Sequence, residues 1–463
     1  MESPSSAGGD GSETETGRGR EREDLVRPPG PDGLPLVGNL VEYSRDPYGF
    51  TERCAREYGD VVYYELLDTP VYQLNAPEGI ERVLVHNNQN YVKGELFQET
   101  LGPVLGGGLL NSEGEDWRRQ RHLVGPAFEP DRIEGYAETM VERTEAATAS
   151  WRDGAVRNVH ADMMTLTLEI VADALFGVDV GRDVETVGSA LDVVMDYQEG
   201  FVVDLLPFRP PTPARRRFER AVDDLERVVY RIVDERRRDP GDDVVSWMLT
   251  AEDESGERMS HEQVRDEVMT LLLAGHETTA LALTFTLHLL ARHPSVEERL
   301  VAELDEALDG DAPTADDVAD LPYLERVVTE SLRLYPPVPS IVREAVGRDD
   351  VGGYTVPPGT TISMNQWTVH RDPRFYDDPM AFRPDRWTEE FERSLPRLAY
   401  FPFSAGPRRC VGDRFALLEA RLVLATLLRR HHLELVSDPS LELVPTITAR
   451  PRDPVRMRVH ERS

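Results

Sequence analysis

The residue with the most reactive surroundings is Cys410, one of two cysteines in the 463-residue chain. Its segment reads FSAGPRRCVG from Phe403 to Gly412. An isolated cysteine is most often a small buried hydrophobe. Here glycines lie on both sides of the cysteine, which lets the backbone approach closely. Arginines precede the thiol, and a helix is predicted to begin just after it, so that backbone N–H groups and the helix dipole favour a thiolate. A thiolate serves as a metal ligand or a nucleophile. The neighbouring sequence offers neither the histidine base nor the oxyanion site that a nucleophile needs.

The spacing F-x-x-G-x-R-x-C-x-G is similar to the haem-binding signature of the cytochrome P450 family. Its fixed positions are occupied by Phe403, Gly406, Arg408, Cys410 and Gly412. The resemblance implies that Cys410 is the axial thiolate on the iron of a b-type haem, where it donates electron density and favours O–O cleavage. It also implies that Phe403 packs near the sulfur and that Arg408 pairs with a haem propionate.

A polar interruption divides the most apolar stretch of the chain, Val268 to Ala291. Because ionisable groups are costly in lipid, the stretch is interpreted as a buried helix of a soluble protein. The interruption resembles the family's A-G-x-[DE]-T segment. Ala274 and Gly275 would let the helix lie close over the haem, and the Thr278 hydroxyl would take the i−4 carbonyl and open the helix ladder. By resemblance, Thr278 hydrogen-bonds the bound dioxygen and Glu277 helps to relay protons.

Three further residues match the family where it binds the two haem propionates. Trp117 and Arg121 are four residues apart, so they share a helix face, and both carry N–H donors suited to a carboxylate. The family has a W-x-x-x-R segment at this distance from the N-terminus. Many members place another propionate-binding arginine at the position of Arg343. Two or three arginines are expected, because two carboxylates in a low-dielectric pocket need neutralisation.

Glu330 and Arg333 form an E-x-x-R pair on one face of a predicted helix. Alone, such a pair is usually a solvated surface charge. About 50 residues later the segment FRPDRW, from Phe382 to Trp387, looks like the family's aromatic-Arg-Pro box, whose arginine joins the pair. Arg386 is expected to be this third member. Because a buried arginine is tolerable only when it is paired, the triad is assigned a role in folding and none in chemistry.

The rest of the chain must position these residues, and its patterns predict a mainly α fold with minor β structure. By resemblance this α+β fold is a cytochrome P450-like single large domain with a long central helix over the haem. Residues 1–27 are polar and are expected to form a disordered acidic tail, followed by the haem domain at 28–463. Strands are predicted for a hairpin at 60–74 and for short runs in 341–364. Helical spacing is clearest in the segments 139–151, 214–238, 260–293, 296–308 and 412–431.

The charge of the chain is unusual, because 85 acidic against 52 basic residues give a net charge of −33, and Lys93 is the one lysine among the 52. Residues 1–27 hold seven acids and four arginines, so the excess is spread over the remaining chain. It argues against sequence-independent binding to nucleic acid or to an anionic membrane, since both need a positive face. It resembles the proteins of haloarchaea, whose salty cytoplasm confines charge repulsion to short distances.

Two distant thiols form neither a disulfide framework nor a zinc site, so a reducing cytoplasm is expected. The start of the chain lacks the basic patch and apolar run of a signal peptide, and no membrane anchor is expected. The chain ends about 50 residues after Cys410, so no fused reductase is expected. Electrons should then come from a separate ferredoxin-type donor with its reductase. The expected docking patch consists of Arg118, Arg119 and Arg414.

The resemblance implies a monooxygenase that inserts one oxygen atom from O₂ into a C–H bond of an apolar substrate, such as a fatty acid or an isoprenoid. Two alternatives stay open. One is a haem-thiolate enzyme that uses peroxide or rearranges an oxidised lipid, and the pair Glu277–Thr278 counts against it, because members of that type usually lack the pair. The other is a haem sensor or carrier, which needs no proton relay. The segments expected to line the substrate pocket, roughly 70–110 and 180–215, contain Phe97, Leu101, Phe201, Leu205 and Phe208, and ordinary core packing explains these residues equally well.

Overall fold

Each of the five helical segments predicted from the sequence contains an α-helix in the computed structural model, which describes residues 26–178, 184–198, 212–308 and 312–462. The predicted tail, up to residue 25, lies outside these ranges. The α-helices of the described chain are α1 Leu40–Arg45, α2 Pro47–Tyr58, α3 Pro77–Glu81, α4 Glu95–Leu105, α5 Gly114–Val124, α6 Pro130–Glu134, α7 Ala137–Thr148, α8 Val159–Ile170, α9 Val184–Gln198, α10 Pro213–Arg238, α11 Val244–Thr250, α12 His261–Arg292, α13 Pro294–Ala307, α14 Ala315–Ala319, α15 Pro322–Leu334, α16 Gln366–Val369, α17 Glu389–Ser394 and α18 Asp413–Arg430.

The strands form small sheets at the edges of the helical mass, so the fold is mainly α with minor β structure in one large domain, as predicted. The strands of the described chain are β1 Val61–Leu66, β2 Thr69–Leu74, β3 Tyr91–Val92, β4 Val156–Asn158, β5 Ser340–Ala345, β6 Asp349–Val351, β7 Tyr354–Val356, β8 Thr361–Asn365, β9 His431–Leu435, β10 Leu443–Pro445, β11 Ala449–Pro451 and β12 Arg456–Glu461. In the largest sheet the order is β1-β2-β8-β5-β3, with β2 parallel to β8 and the other neighbours antiparallel. The hairpin predicted at 60–74 is the pair β1–β2.

The longest helix, α12, is 32 residues long and is buried along most of its length. A capping box begins it, because the Ser260 hydroxyl accepts from the Gln263 N–H and the Gln263 side chain accepts from the Ser260 N–H. It ends at Arg292, and Pro294 starts the next helix. Among the described helices it alone is long and apolar enough to cross a membrane, but 78 % of its most apolar window is buried inside the protein. Packing against α8, α10, α15 and α18 accounts for this burial.

The buried carboxylate of Glu330 on α15 joins the helical core to the segment after β8. Arg333 donates to it twice, from Nε to Oε2 and from Nη2 to Oε1, both at 2.8 Å. Arg386 donates from Nε to Oε1 at 2.9 Å, and the Trp387 indole donates to Oε2 at 2.8 Å. The triad expected from the sequence thus meets around one carboxylate. Trp387 is a fourth member, which the spacing of charged residues did not indicate.

Glu330→Gln should lower the free energy of unfolding by about 3–5 kcal/mol, the usual cost of removing one partner of a buried ion pair. Two buried guanidinium groups would then face a neutral amide. Urea titration of the haem-loaded protein measures the loss. Glu325→Gln is the matched control, because this exposed carboxylate on the same helix pairs with Arg421 and should cost less than about 1 kcal/mol. Equal losses in the two variants would contradict a special role for the Glu330 network.

Candidate active site

The loop before α18 places Cys410. Two backbone hydrogen bonds shape it: the Cys410 N–H donates to the Phe403 carbonyl at 3.0 Å, and the Arg409 N–H donates to the Gly406 carbonyl at 3.1 Å. The thiol is accessible. Protein nevertheless surrounds it closely, and this burial raises its pKa, although the Gly412 N–H opposes the rise. The surrounding protein therefore raises the pKa of the thiol by more than the helix start, expected from the sequence to favour a thiolate, lowers it.

The two glycines beside Cys410 serve different purposes. Gly406 has φ +68°, and an added Cβ would stand 2.0 Å from the Leu84 carbonyl oxygen, so glycine is required there. Gly412 has an ordinary φ of −96°, and an added Cβ would meet Phe128 at the ordinary distance of 3.6 Å. The close backbone approach expected at both glycines is thus required only at Gly406.

Arg408 and Arg343 are partly buried and belong to a cluster of cations whose third member, Lys93, is buried. Burial, followed by Arg343 and Arg408, lowers the pKa of Lys93 to about 7. Burial, followed by Arg408, lowers the pKa of Arg343 to about 10. Glu113 faces all three cations: its carboxylate accepts from the Arg408 guanidinium, and also from the Lys93 backbone N–H at 2.9 Å. Three crowded cations beside one carboxylate call for further negative charge. Neither Lys93 nor Glu113 was predicted from the sequence, although the presence of a single lysine was a signal.

Trp117 and Arg121 lie one turn apart on α5 and face different parts of the site. The guanidinium carbon of Arg408 lies 4.0 Å from the centre of the Trp117 ring. Arg121 donates from Nη1 to the Arg409 carbonyl at 3.0 Å, beside Cys410. Burial lowers the pKa of Arg121, and Cys410 acts in the opposite direction. Helix α5 therefore contacts the cation cluster through Trp117 and the loop that carries Cys410, called the thiol loop below, through Arg121.

The polar interruption of α12 includes three solvent-accessible residues, Ala274, Gly275 and Thr278, within an otherwise buried length of the helix. They are called the accessible strip below. Ala274 is exposed and Gly275 and Thr278 are partly exposed, whereas residues 268–273 and 279–290 are buried. Thr278 donates to the Ala274 carbonyl at 2.8 Å, which is the expected i−4 contact. α12 is a continuous α-helix through this contact, and the opening of its hydrogen-bond ladder at Thr278 stays a prediction.

Gly275 also allows α8 to approach α12. An added Cβ at Gly275 would stand 3.3 Å from the Val171 side chain, which is tighter than an ordinary contact. Nearby, the Thr167 hydroxyl of α8 donates to the His276 carbonyl at 2.9 Å. The absence of a side chain at Gly275 therefore allows close packing of the two helices. This role is additional to the close approach to the haem that was expected from the sequence.

Glu277 does not share the accessible strip. Successive residues of an α-helix point about 100° apart, and the Glu277 carboxylate lies on the neighbouring face, where it is 2 % exposed and paired with Arg450 of β11. The Thr448 hydroxyl donates to it at 2.9 Å. The acid–alcohol pair expected to act together is thus divided between two faces of α12. Arg450 was missed because it is 173 residues away in sequence.

Two acids of α12 hold the connection between α4 and α5. Asp266 accepts from the Gly107 N–H at 2.8 Å, and Glu267 accepts from the Leu109 N–H at 3.0 Å. Gly106 has φ +52°, and an added Cβ there would stand 2.4 Å from the Asp266 carboxylate. The glycine run between α4 and α5 therefore lets this connection lie directly on α12.

Only part of the expected substrate-facing set falls within the described residues. Leu101 is 2 % exposed and packs inside the main core, so core packing explains it. Phe97 is partly buried at the edge of that core, with the Lys93 ammonium 5.8 Å from its ring centre. The other members, Phe201, Leu205 and Phe208, lie outside the described residues.

Glu419 of α18 is a buried acid that the sequence analysis did not single out. Burial raises its pKa well above the usual range, although the neighbouring Thr279 hydroxyl acts in the opposite direction. Neither carboxyl oxygen has a hydrogen-bond partner within the described chain, and Thr279 donates to the Gly275 carbonyl at 3.1 Å. The proximity of Glu419 to Thr279 places α18, the helix that follows Cys410, beside the turn of α12 that carries Thr278.

Comparisons with known proteins agree with this geometry. The Cytochrome P450 family model matches residues 28–456. Cyclooctatin synthase of Streptomyces melanosporofaciens is 39 % identical over 86 % of this chain and 88 % of that protein. Cyclooctat-9-en-7-ol 5-monooxygenase of the same organism is 36 % identical, with 89 % and 90 % covered. Pentalenene oxygenase of Streptomyces avermitilis is 34 % identical, with 93 % and 96 % covered.

Solved structures give the same result. The cytochrome P450DA heme domain superposes with a TM-score of 0.86 at 29 % identity, covering 95 % of this chain and 98 % of that one. The retinoic acid-bound cyanobacterial CYP120A1 gives 0.85 at 26 % identity, with 94 % and 99 % covered. The chain therefore belongs to the cytochrome P450 family. It is a haem-dependent monooxygenase, which uses O₂ and electrons from a redox partner.

The described residues fit a haem. Cys410 presents an accessible thiol, and thiolate ligation suits haem iron. The crowded cations Lys93, Arg343 and Arg408 need negative charge, and a haem carries two propionates. Ala274 leaves α12 without side-chain bulk at the accessible strip. The described part of the chain contains no cluster of three His, Cys, Asp or Glu residues that could hold a metal in another way.

Glu267→Gln should remove a pH dependence of stability. Burial raises the pKa of Glu267 to about 8, so the folded protein keeps a proton that the unfolded chain releases at lower pH. The Glu267 contribution should therefore reduce the free energy of unfolding as pH rises from about 5 to about 8, by at most about 1.4 kcal/mol per pH unit. Urea titrations of parent and variant across this range measure the difference.

The control for this slope is Glu262→Gln, which removes an exposed acid from the same helix. At each pH, the free energy of unfolding of a variant is subtracted from that of the parent. The contributions of the other acids of the chain are common to both and cancel. If the two differences vary with pH in the same way, Glu267 is not the source of the slope.

Proposed function

We propose that Cys410 is the axial thiolate of the haem and that Arg343, Arg408 and Lys93 bind its propionates. The accessible thiol beside a cluster of cations, in a chain of net charge −33, is the observation that carries the proposal. Arg121 adds a further cation beside the thiol loop. Buried positive charge is costly unless an anion accompanies it, and the propionates supply that anion.

When bound, the haem supplies the activation of O₂, in which one oxygen atom enters a C–H bond and the other leaves as water, with two electrons and two protons. The protein has to deliver the protons. We assign the last transfer to the Thr278 hydroxyl, because it lies on the accessible strip of α12. Glu277, one residue earlier, is the acid nearest in sequence and is assigned the supply. Ala274 keeps the strip open beside Thr278.

Cys410→His should move the absorption band of the reduced, CO-bound protein from the thiolate-ligated to the nitrogen-ligated position, because the axial donor changes. The spectrum of the purified, haem-loaded variant measures this change. Cys54→Ser is the matched control, since Cys54 is buried in α2 and should leave the band in place. An unchanged band in the Cys410 variant would sink the ligand assignment.

We propose an apolar cyclic isoprenoid as the substrate. Pentalenene oxygenase and cyclooctat-9-en-7-ol 5-monooxygenase, which share 34 % and 36 % identity over most of this chain, support an isoprenoid over a fatty acid. The accessible strip of α12 carries only small side chains, Ala274, Gly275 and Thr278. It therefore leaves room for a bulky hydrocarbon and offers a single hydroxyl as a polar group.

Pentalenene and cyclooctat-9-en-7-ol should each shift the haem from low to high spin, whereas lauric acid should not. Titration of the purified protein by absorption spectroscopy measures the shift. Turnover under labelled O₂ should then add one labelled oxygen atom to the isoprenoid. A shift with lauric acid alone would overturn the proposed class while leaving the Cys410 assignment intact.

A ferredoxin-type protein is proposed as the electron donor, docking beside the thiol loop. Arg118 and Arg414 are exposed there and can meet an acidic partner. Arg119 was expected to join them, but its guanidinium is bound to the Asp253 carboxylate, which reduces its contribution. Reduction of the haem by a [2Fe–2S] ferredoxin should slow in Arg118→Glu with Arg414→Glu. An unchanged rate would contradict this docking face.

A high-salt cytoplasm is proposed as the working environment, because −33 charges with a single lysine fit a surface adapted to screening. Lowering the salt from molar to millimolar should strengthen repulsion among the surface acids, loosen the fold and release haem. The Soret band and helical circular dichroism measure both effects. Unchanged spectra would overturn the salt adaptation and leave the enzyme class untouched.

A further inference from the structure

A cavity of about 250 Å³ lies between the ends of α12 and α15 and the segment 380–382. None of the residues assigned above to the haem, the substrate or the redox partner lines it. Drug-sized ligands usually occupy sites of about 300–1,000 Å³, so this cavity would hold a smaller molecule. Its role has to be inferred from its own lining.

Positive charge predominates in this lining. Arg292 and His293 at the end of α12 and Arg371 after α16 line the cavity, and none of the described residues around it is acidic. The chain as a whole has 85 acidic and 52 basic residues, so the cavity has the opposite charge balance. A concave site lined by one sign of charge raises the local concentration of ions of the other sign, here anions.

Two of the basic side chains also hold helix ends. Arg371 donates from Nη2 to the carbonyl of Leu334, the last residue of α15, and from Nη1 to the Trp367 carbonyl at 3.1 Å. His293 Nδ1 lies 2.7 Å from the Leu289 carbonyl of α12. Each helix end carries roughly half a negative charge, so the two arginines leave roughly one positive charge without compensation.

Both arginines keep N–H donors that the described chain does not satisfy. The Arg292 guanidinium is exposed and forms no hydrogen bond or ion pair within the described residues. Arg371 is 7 % exposed, and its Nε is buried without a hydrogen-bond partner there. Glu52 is the acid that acts on Arg371, but its carboxylate accepts from the Trp367 indole at 2.7 Å. An unmet buried donor is costly, and an anion would meet it.

The rest of the lining is largely apolar. Leu289, Leu334 and Phe382 are buried, whereas Met380 is 65 % exposed. The methionine side chain is flexible and polarisable, so it can close over ligands of different shape. An apolar wall beside free guanidinium groups suits a ligand with a hydrocarbon part and a negative head group, because a bare inorganic ion would leave the wall without contacts.

We infer that this cavity is a binding site for a small aliphatic carboxylate. The Arg292 guanidinium binds the carboxylate through parallel N–H donors, and Arg371 adds its free Nε. The hydrocarbon chain lies against Leu289, Leu334 and Met380. The inference depends neither on the haem ligand nor on the isoprenoid substrate proposed above.

The site adjoins the network around Glu330. Arg333 donates to the carbonyls of Pro379 and Ala381 at 2.7 and 3.2 Å, and Met380, between these two residues, lines the cavity. A ligand that binds only the folded arrangement stabilises it by mass action. The carboxylate therefore acts as an effector that stabilises the segment on which the Glu330 network depends.

Calorimetric titration of the haem-loaded full chain with sodium octanoate tests the ligand class. Octanoate should bind at a single site, while 1-octanol and sodium sulfate should each bind at least about tenfold more weakly, because each lacks one half of the match. Equal binding of either probe would overturn the amphipathic class. The Soret band should stay in place during the titration, and a low-to-high-spin shift that follows octanoate binding would place the ligand at the haem and overturn the site.

Surface variants locate the ligand without disturbing the core, as a change at buried Arg371 would. Arg292→Gln should weaken octanoate binding about tenfold, the usual value of a hydrogen bond to a charged group. Arg383→Gln is the matched control, because this exposed arginine of the same region does not line the cavity. Unchanged affinity in Arg292→Gln would contradict the site.

A second pair of variants keeps every cation in place. Met380→Glu should weaken octanoate binding by repulsion between like charges, whereas Met380→Gln should retain it, since both changes are made at the same exposed side chain. Octanoate should also raise the thermal unfolding midpoint of the parent and of Met380→Gln but not of Met380→Glu. Equal affinities and equal midpoints in the two variants would overturn the inference.

Discussion

Burial of α12 is the constraint on which the rest of the structure depends. A 32-residue helix is about 48 Å long, enough to cross a domain of this size. A polar group on its buried length is costly unless it finds a partner within the protein. Asp266 and Glu267 hold the α4–α5 connection, Glu277 holds Arg450 of β11, and Thr279 lies beside α18. Only the strip around Thr278 is left for chemistry.

Negative charge predominates over the chain as a whole, whereas positive charge is concentrated beside the loop that carries Cys410. The acidic excess lies over the chain as a whole, while the region next to the thiol loop gathers Lys93, Arg343 and Arg408 around one carboxylate. Such crowding opposes folding of this region until an anion joins it. The cofactor is therefore part of the electrostatic balance of the fold, and the acidic surface cannot substitute for it, because water screens its charge over the intervening distance.

The parts that could be predicted from the sequence depend on local spacing. The loop around Cys410, the hairpin β1–β2 and the limits of α12 follow from motifs, alternation and caps within short segments. Spacing also indicated which residues of α12 share a face. It could not indicate which element packs on each face, so the pairing of Glu277 with Arg450, 173 residues away, was missed. Trp387 beside Glu330 was missed for the same reason, and the sequence could not decide between core and pocket for Leu101, because apolar residues of both have the same pattern.

Lys93 has a practical consequence. It is the sole lysine, so a reagent that modifies amines has one side-chain target in the whole chain, besides the amino terminus. Until a further anion joins the cluster, a pKa of about 7 leaves a large fraction of this amine uncharged and nucleophilic near neutral pH, while burial to 8 % exposure keeps reagents away from it. The rate of acylation at this position therefore records how often the region around the thiol loop opens. Lys93 is therefore a native chemical probe of local opening in this region, and no labelling site has to be introduced.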